Sequence, residues 1–376
     1  MATNPTTLVA AKTTGVPLAS FANKVLRMEP EQGLREIIPE VMAKSWLVFP
    51  LFLDGRTLAV AFAPRARAGR REGRPAPPRG LLGLQRGAAP GRDEVLPLTP
   101  QPKTLPYFDL ILEGKGRGDP AAEALSRYVH WGYWEDPSRA GGAEELQAAM
   151  DRLNGLVVDA ALLTDGLSLL DAGCGFGATL ASIDAARYGM RLTGLNIDPR
   201  QLAVARESVK PRTGNAVEFV EGNACALPFP DASFDRVTAV ECIFHFPSRF
   251  AFIKEAARVL KPGGTLALSD FVPQDPNAPP SWLGRWLGAQ VEKGYGHCGD
   301  GWPEGDYSRM AAKAGLTVAF ERDITENTLP TYPILLGLLA GTPGPKAAAL
   351  RWGTRLLQWS SRLGWLRYRV VSFRKP

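Results

Sequence analysis

The chain has 376 residues, 45% hydrophobic and 22% charged, a balance that excludes a wholly disordered polypeptide and suits one large domain or two ordinary ones. Four cysteines without CxxC spacing and only three histidines exclude a disulfide scaffold and a zinc ribbon, and point to reduced thiols. The net charge of +6 is local: between Pro64 and Arg92 eight arginines face one acid, Glu72, so the rest of the chain carries −1 and gives no argument for nucleic-acid binding.

In chain order, the spacing of Ile37, Ile38, Val41 and Met42 predicts a helix over Leu34 to Leu47. Residues 1–63 otherwise form an extension with little patterning. The longest apolar stretch, Trp46 to Ala63, is broken by Asp54, Gly55 and Arg56, short of the roughly 18 residues a membrane span needs. The first ten residues lack the cationic start of a signal peptide, so a cytoplasmic protein is expected. Residues 64–104, rich in Arg, Gly, Pro and Ala, read as a disordered linker, because they bury too little to offset chain entropy. A folded domain is expected over 105–376.

Within it, strand-like and helix-like runs alternate. Strands are expected at Leu167–Asp171, Arg191–Ile197, Val217–Val220, Phe234–Val240 and Thr265–Asp270. Helices are expected at Ala178–Tyr188, at Pro199–Lys210 with proline in its first turn, and at Ser248–Leu260, stopped by Lys261-Pro262-Gly263-Gly264. This alternation implies an α/β fold, a doubly wound parallel sheet with helices on both faces. Two later alternating runs, Leu316–Ile324 and Tyr368–Phe373, read as edge strands.

The first strand runs into a glycine loop, Asp171-Ala172-Gly173-Cys174-Gly175-Phe176-Gly177-Ala178. Glycines let a backbone approach a ligand that a Cβ would block, and open parallel sheets bind ligands at the carboxyl ends of their strands. Gly173, Gly175 and Ala178 also satisfy the dinucleotide fingerprint, which keeps an NAD-dependent oxidoreductase as an alternative. The carboxylate of Asp171 separates the two: it repels a pyrophosphate and suits the amino group and sulfonium of S-adenosylmethionine.

At this point the chain resembles the class I S-adenosylmethionine-dependent methyltransferases, in the branch of ubiquinone and menaquinone, tocopherol, sterol and natural-product-tailoring enzymes. Four segments carry the resemblance: Leu169 to Leu180, Gly194 to Leu202, Leu227 to Asp235, and Arg258 to Gly264. It covers about residues 105–376 and implies a Rossmann-like sheet with an antiparallel last strand, S-adenosylmethionine as cofactor, and methyl transfer to oxygen or carbon of a small, largely apolar metabolite. A non-catalytic S-adenosylmethionine-binding or membrane-associated accessory protein is the remaining alternative.

The resemblance also implies roles. Asp171, Gly173, Gly175 and Gly177 would cradle the cofactor. Asn196 stands where an acid usually holds the ribose, with Ile197 beside it and Gln201 on the following helix. Asn223 and Ala224 would read the adenine, and Glu241 would lie near cofactor or acceptor. Tyr133, in Gly132-Tyr133-Trp134, would fold over the methionine end. His245 after the fourth strand and Asp270 after the fifth are the expected base for a hydroxyl acceptor, with His297 and Cys298 as further candidates. Ser281–Glu292 and about 327–365 read as cap elements. In the second, Trp352, Leu356, Trp359 and Leu363 recur opposite Arg351, Arg355 and Arg362, and residues 347–365 are also a candidate membrane-surface contact. No cluster has metal-ligand spacing, so no metal is expected.

Overall fold

Five strands rich in Val, Leu and Ala, each followed by a helix or a long turn, meet in one sheet of seven strands. In this computed structural model the described residues are 48–54 and 57–62, and 105–376 without 116, 119, 213, 274–280 and 299–305. The helix expected over Leu34 to Leu47 and the linker expected over 64–104 lie outside them.

The chain divides into two compact units, residues 1–89 and 90–376. In the first, β1 (Val48–Asp54) and β2 (Thr57–Phe62) pair antiparallel. Asp54 pairs with Thr57, so the polar break in the apolar stretch is where the chain reverses. The sequence reading did not anticipate this hairpin.

The second unit opens with α1 (Pro106–Lys115) and α2 (Leu146–Ala160). The core then runs β3 (Ser168–Ala172), α3 (Ala178–Ala186), β4 (Arg191–Asn196), α4 (Pro199–Ser208), β5 (Ala216–Glu221), β6 (Phe234–Val240), α5 (Arg249–Val259) and β7 (Leu260–Pro273). It ends with α6 (Ser281–Tyr295), α7 (Tyr307–Lys313), β8 (Thr317–Asp323), α8 (Thr331–Leu338), α9 (Pro345–Arg362) and β9 (Leu366–Arg374). The strand order is β5-β4-β3-β6-β7-β9-β8. β3 to β7 are mutually parallel, and β9 runs antiparallel to both its neighbours. β9 is therefore interior, and of these two late strands β8 alone lies at an edge, opposite β5, which corrects the reading of both as edge strands.

Local chemistry sets the element ends. Asp198 caps α4, its side chain accepting from the Arg200 N–H, with Pro199 in the first turn. Ser248 caps α5 in the same manner through the Ala251 N–H. β3 is buried along its whole length, as a central strand covered by helices on both faces must be. The order of strands reverses between β3 and β6, so their carboxyl ends, with that of β4, open a crevice.

α6, α8, α9 and α1 stand over this end of the sheet. α6 and α9 cross closely at Gly294 and Gly353: a Cβ on Gly294 would lie 2.7 Å from the Leu350 Cα. The face of α9 turned inward carries Ala347, Leu350, Gly353, Thr354, Gln358 and Ser361. Trp352 and Trp359 are half-buried and meet edge to face at 6.0 Å. Among the described residues no helix is long and apolar enough to cross a membrane.

Candidate active site

The crevice forms a cleft lined by the residues that follow β3, β4, β5 and β6, where an open parallel sheet takes its ligand. Gly173, Gly175 and Gly177 all adopt left-handed backbone, at φ of 78°, 53° and 82°, which explains why glycine recurs there. They serve different ends. Gly173 and Gly175 line the cleft. Gly177 does not; it starts α3, and a Cβ on it would lie 2.9 Å from Val209 and 3.2 Å from Ala205. Its role is close packing of helices, not the ligand cradle expected of it.

Asp171 lines the cleft from the last turn of β3 and accepts a hydrogen bond from the Thr238 hydroxyl at 2.8 Å. No basic side chain pairs with it among the described residues, and burial raises its carboxyl to about 7. Beyond the end of β4, the Asn196 amide donates to the Gln201 carbonyl oxygen at 2.9 Å, and Asn196, Ile197 and Gln201 all line the cleft. Gly222 and Ala224 line it after β5. Asn223 does not: its side-chain oxygen accepts from the Cys225 N–H at 2.9 Å, closing its own turn.

At the end of β6, Glu241 is held at φ 48°, a strained backbone for a non-glycine residue and of the kind found at functional sites. Its carboxylate accepts from the Trp131 N–H at 2.8 Å and the Tyr368 hydroxyl at 2.5 Å, and burial raises it to about 8. His245 follows on a short 3₁₀ turn. Its Nδ1–H donates to the His297 carbonyl at 2.8 Å, which leaves the Nε2 lone pair to accept the Tyr107 hydroxyl at 3.1 Å. Burial lowers the imidazole to about 4.

A second cleft shares Tyr107, Val129, His130 and Glu241 with the first. Its other walls are mainly Leu110, Ile111, Trp131, Phe244, Tyr295, Leu335, Leu339 and Leu350, drawn from α1, α6, α8 and α9 and the loops between.

Besides Gly177 and Asn223, two more expected site residues stand elsewhere. Asp270 is fully buried at the sheet: Arg249 donates to it at 2.7 Å and the Tyr307 hydroxyl at 2.6 Å, and it lines neither cleft. A carboxylate closed in this way holds α5 and α7 to β7 and is not open to an acceptor. Tyr133 turns its ring under Arg322, whose guanidinium donates to the Tyr133 hydroxyl at 2.7 Å, and it also lines neither cleft. Its backbone N–H bonds to the Ala149 carbonyl, anchoring the segment to α2. The neighbouring Tyr128, Val129 and His130 reach the first cleft instead. Sequence reasoning missed Tyr107 and His130. His130 lies two residues before the Gly132-Tyr133-Trp134 element, whereas nothing in its sequence neighbourhood marks Tyr107.

A family model described as a methyltransferase domain matches residues 170–268, the segment that builds β3 to β7. The chain is 33% identical over 211 residues to the methyltransferase GfsG of Streptomyces halstedii, covering 55% of this chain and 72% of that protein. The chain belongs to the class I S-adenosylmethionine-dependent methyltransferases. To the O-methyltransferase cnsE of Penicillium expansum it is 32% identical, over 57% of this chain and 74% of that one. To the 27-O-demethylrifamycin SV methyltransferase of Amycolatopsis mediterranei (strain S699) it is 41% identical over 145 residues, 38% of this chain and 51% of the relative. Among solved structures, the [4+2]-cyclase SpnF matches with a TM-score of 0.58 at 24% identity, over 74% of this chain and 98% of that one, a likeness of fold.

The cleft of this methyltransferase suits S-adenosylmethionine. Gly173 and Gly175 line it as bare backbone, and a Cβ on Gly173 would also lie 2.7 Å from the Cys242 Sγ. The buried, cation-free Asp171 is suited to a positively charged ligand and would oppose a pyrophosphate.

Proposed function

We propose that this methyltransferase methylates a hydroxyl oxygen on a bulky, largely apolar metabolite of the natural-product type. The observation that carries the reading is the second cleft: it adjoins the cofactor cleft, and its walls are almost wholly apolar apart from groups at the shared throat. The likeness to cnsE, an O-methyltransferase, supports oxygen as the acceptor atom.

When bound, S-adenosylmethionine supplies an electrophilic methyl on a sulfonium. Asp171 would pair with the cofactor's amino group while Gly173 and Gly175 leave room beside it. Asn196 and Gln201, with Ile197 between them, would hold the ribose hydroxyls, and Ala224 would present backbone to the adenine. Glu241 fixes the Trp131 segment over the throat, so an acceptor entering beneath it meets a preset aperture. Leu335, Leu339 and Leu350 exclude water from the reacting oxygen. His245 would orient the Tyr107 hydroxyl at the same aperture. A contact of residues 347–365 with a membrane surface belongs to the proposal for lipid-like acceptors, supported by half-buried Trp352 and Trp359 beside exposed Arg355 and Arg362. Co-sedimentation with anionic vesicles tests it.

The experiment is turnover with S-adenosylmethionine against alkyl hydroquinones, sterols and hydroxylated macrolactones, with release of S-adenosylhomocysteine as readout and NMR of the product. A new O–CH₃ group supports the reading. A methyl on carbon, or no thioether release with any acceptor, overturns it.

A further inference from the structure

We propose that His130 is the residue that binds the acceptor hydroxyl and takes its proton during methyl transfer. This rests on the reading of the second cleft as the acceptor chamber. His130 walls both clefts, at the throat they share. Its Nδ1 lies 2.8 Å from the Trp131 carbonyl oxygen, which can only accept, so Nδ1 carries the proton and Nε2 carries a lone pair. That Nε2 is buried and, among the described residues, has no hydrogen-bond partner. A buried acceptor left unpaired is costly, and the imidazole does not need Nε2 to stay in place. The Nδ1 bond and the Tyr128 ring, 4.8 Å away centre to centre, already hold it.

The competing groups are engaged. The Nε2 of His245 accepts the Tyr107 hydroxyl, the Oε2 of Glu241 takes both the Trp131 N–H and the Tyr368 hydroxyl, and Asp270 is closed by Arg249 and Tyr307. Burial lowers His130 to about 4, so the ring is neutral and its lone pair available across the physiological range. A base this weak suffices, because the hydroxyl becomes strongly acidic as its oxygen bonds to carbon. In the balanced step the O–CH₃ bond forms as the S–CH₃ bond breaks, the sulfonium becomes a neutral thioether, and the hydroxyl proton passes to Nε2 and later to water.

The test uses the full chain saturated with S-adenosylhomocysteine and two probes that differ by one hydroxyl, para-nonylphenol and nonylbenzene, with affinities from calorimetry. In the unaltered protein the phenol is favoured. In His130→Phe the ratio of the two affinities falls roughly tenfold or more, the effect of stranding a buried donor, while His130→Gln, which retains an acceptor oxygen, keeps most of it. S-adenosylhomocysteine affinity stays within about twofold in both. A phenol preference that survives in His130→Phe overturns the assignment, as does its loss in His245→Gln with full retention in His130→Phe. If both His130 variants stop binding S-adenosylhomocysteine, the residue belongs to the cofactor site and the proposal also falls. If neither probe binds the unaltered protein, the acceptor-chamber reading fails first and takes this one with it.

Discussion

Asp171→Asn removes the charge that suits the cleft to a cation, and its effect follows from the burial of that carboxyl. In the free protein Asp171 is raised to about 7, against an ordinary value near 3.8. Binding a ligand ammonium requires the ionised form, so the carboxyl must release its proton whenever the pH lies below about 7. Affinity for S-adenosylmethionine is therefore full above that value and falls as pH drops. At pH ~5.5, about 1.5 units below the free-state value, the loss is roughly 30-fold, or about 2 kcal/mol, with one proton released per ligand bound. The sign for folding is the reverse of that of a paired acid. A raised folded-state value favours the native state at low pH and is a cost that grows between about 4 and 7. Calorimetric titration between pH ~5.5 and ~7.5, in two buffers of different ionisation enthalpy, measures both affinity and proton release. In Asp171→Asn the pH slope and the released proton disappear, and affinity at pH ~7.5 drops by roughly 1.5–3 kcal/mol, the range of a charged hydrogen bond. An unaltered protein whose affinity is flat across this window, or a variant that keeps the slope, refutes the reasoning.

Asp270→Asn is expected to cost about 3–5 kcal/mol of stability, because Arg249 stays buried without its partner. Urea denaturation reads this, and unchanged stability with lost turnover would restore the base role. Gly173→Ala and Gly177→Ala should each destabilise by about 1–3 kcal/mol from left-handed backbone. Only Gly173→Ala should also weaken S-adenosylmethionine binding, since only that position lines the cleft, and equal loss in both would contradict the division. A chain beginning at residue 105 is expected to fold and bind the cofactor with the affinity of the full chain. Aggregation, or loss of binding by calorimetry, would show that the extension packs on the domain.

The sequence by itself determined the sheet and the cofactor loop, because both are written in short-range chemistry. Central strands announce themselves as apolar runs, Pro199 and Ser248 mark helix starts, and three glycines with positive φ can hardly be anything else. Asp171 was legible for the same reason, since a single chain-local acid beside the glycines sets the sign of the ligand. The tertiary structure alone decided which polar groups are open. Asp270 and His245 sit at the strand ends where a catalytic base is expected, yet Arg249, Tyr307 and Tyr107 reach them from distant segments and take their lone pairs. Tyr133 was turned away by Arg322, nearly two hundred residues on. The β1–β2 hairpin and the interior position of β9 likewise depend on pairing, which periodicity does not encode. An unpaired Nε2 on His130 is the extreme case: whether a lone pair is satisfied depends on every neighbour in space, and those neighbours come together only when the chain has folded.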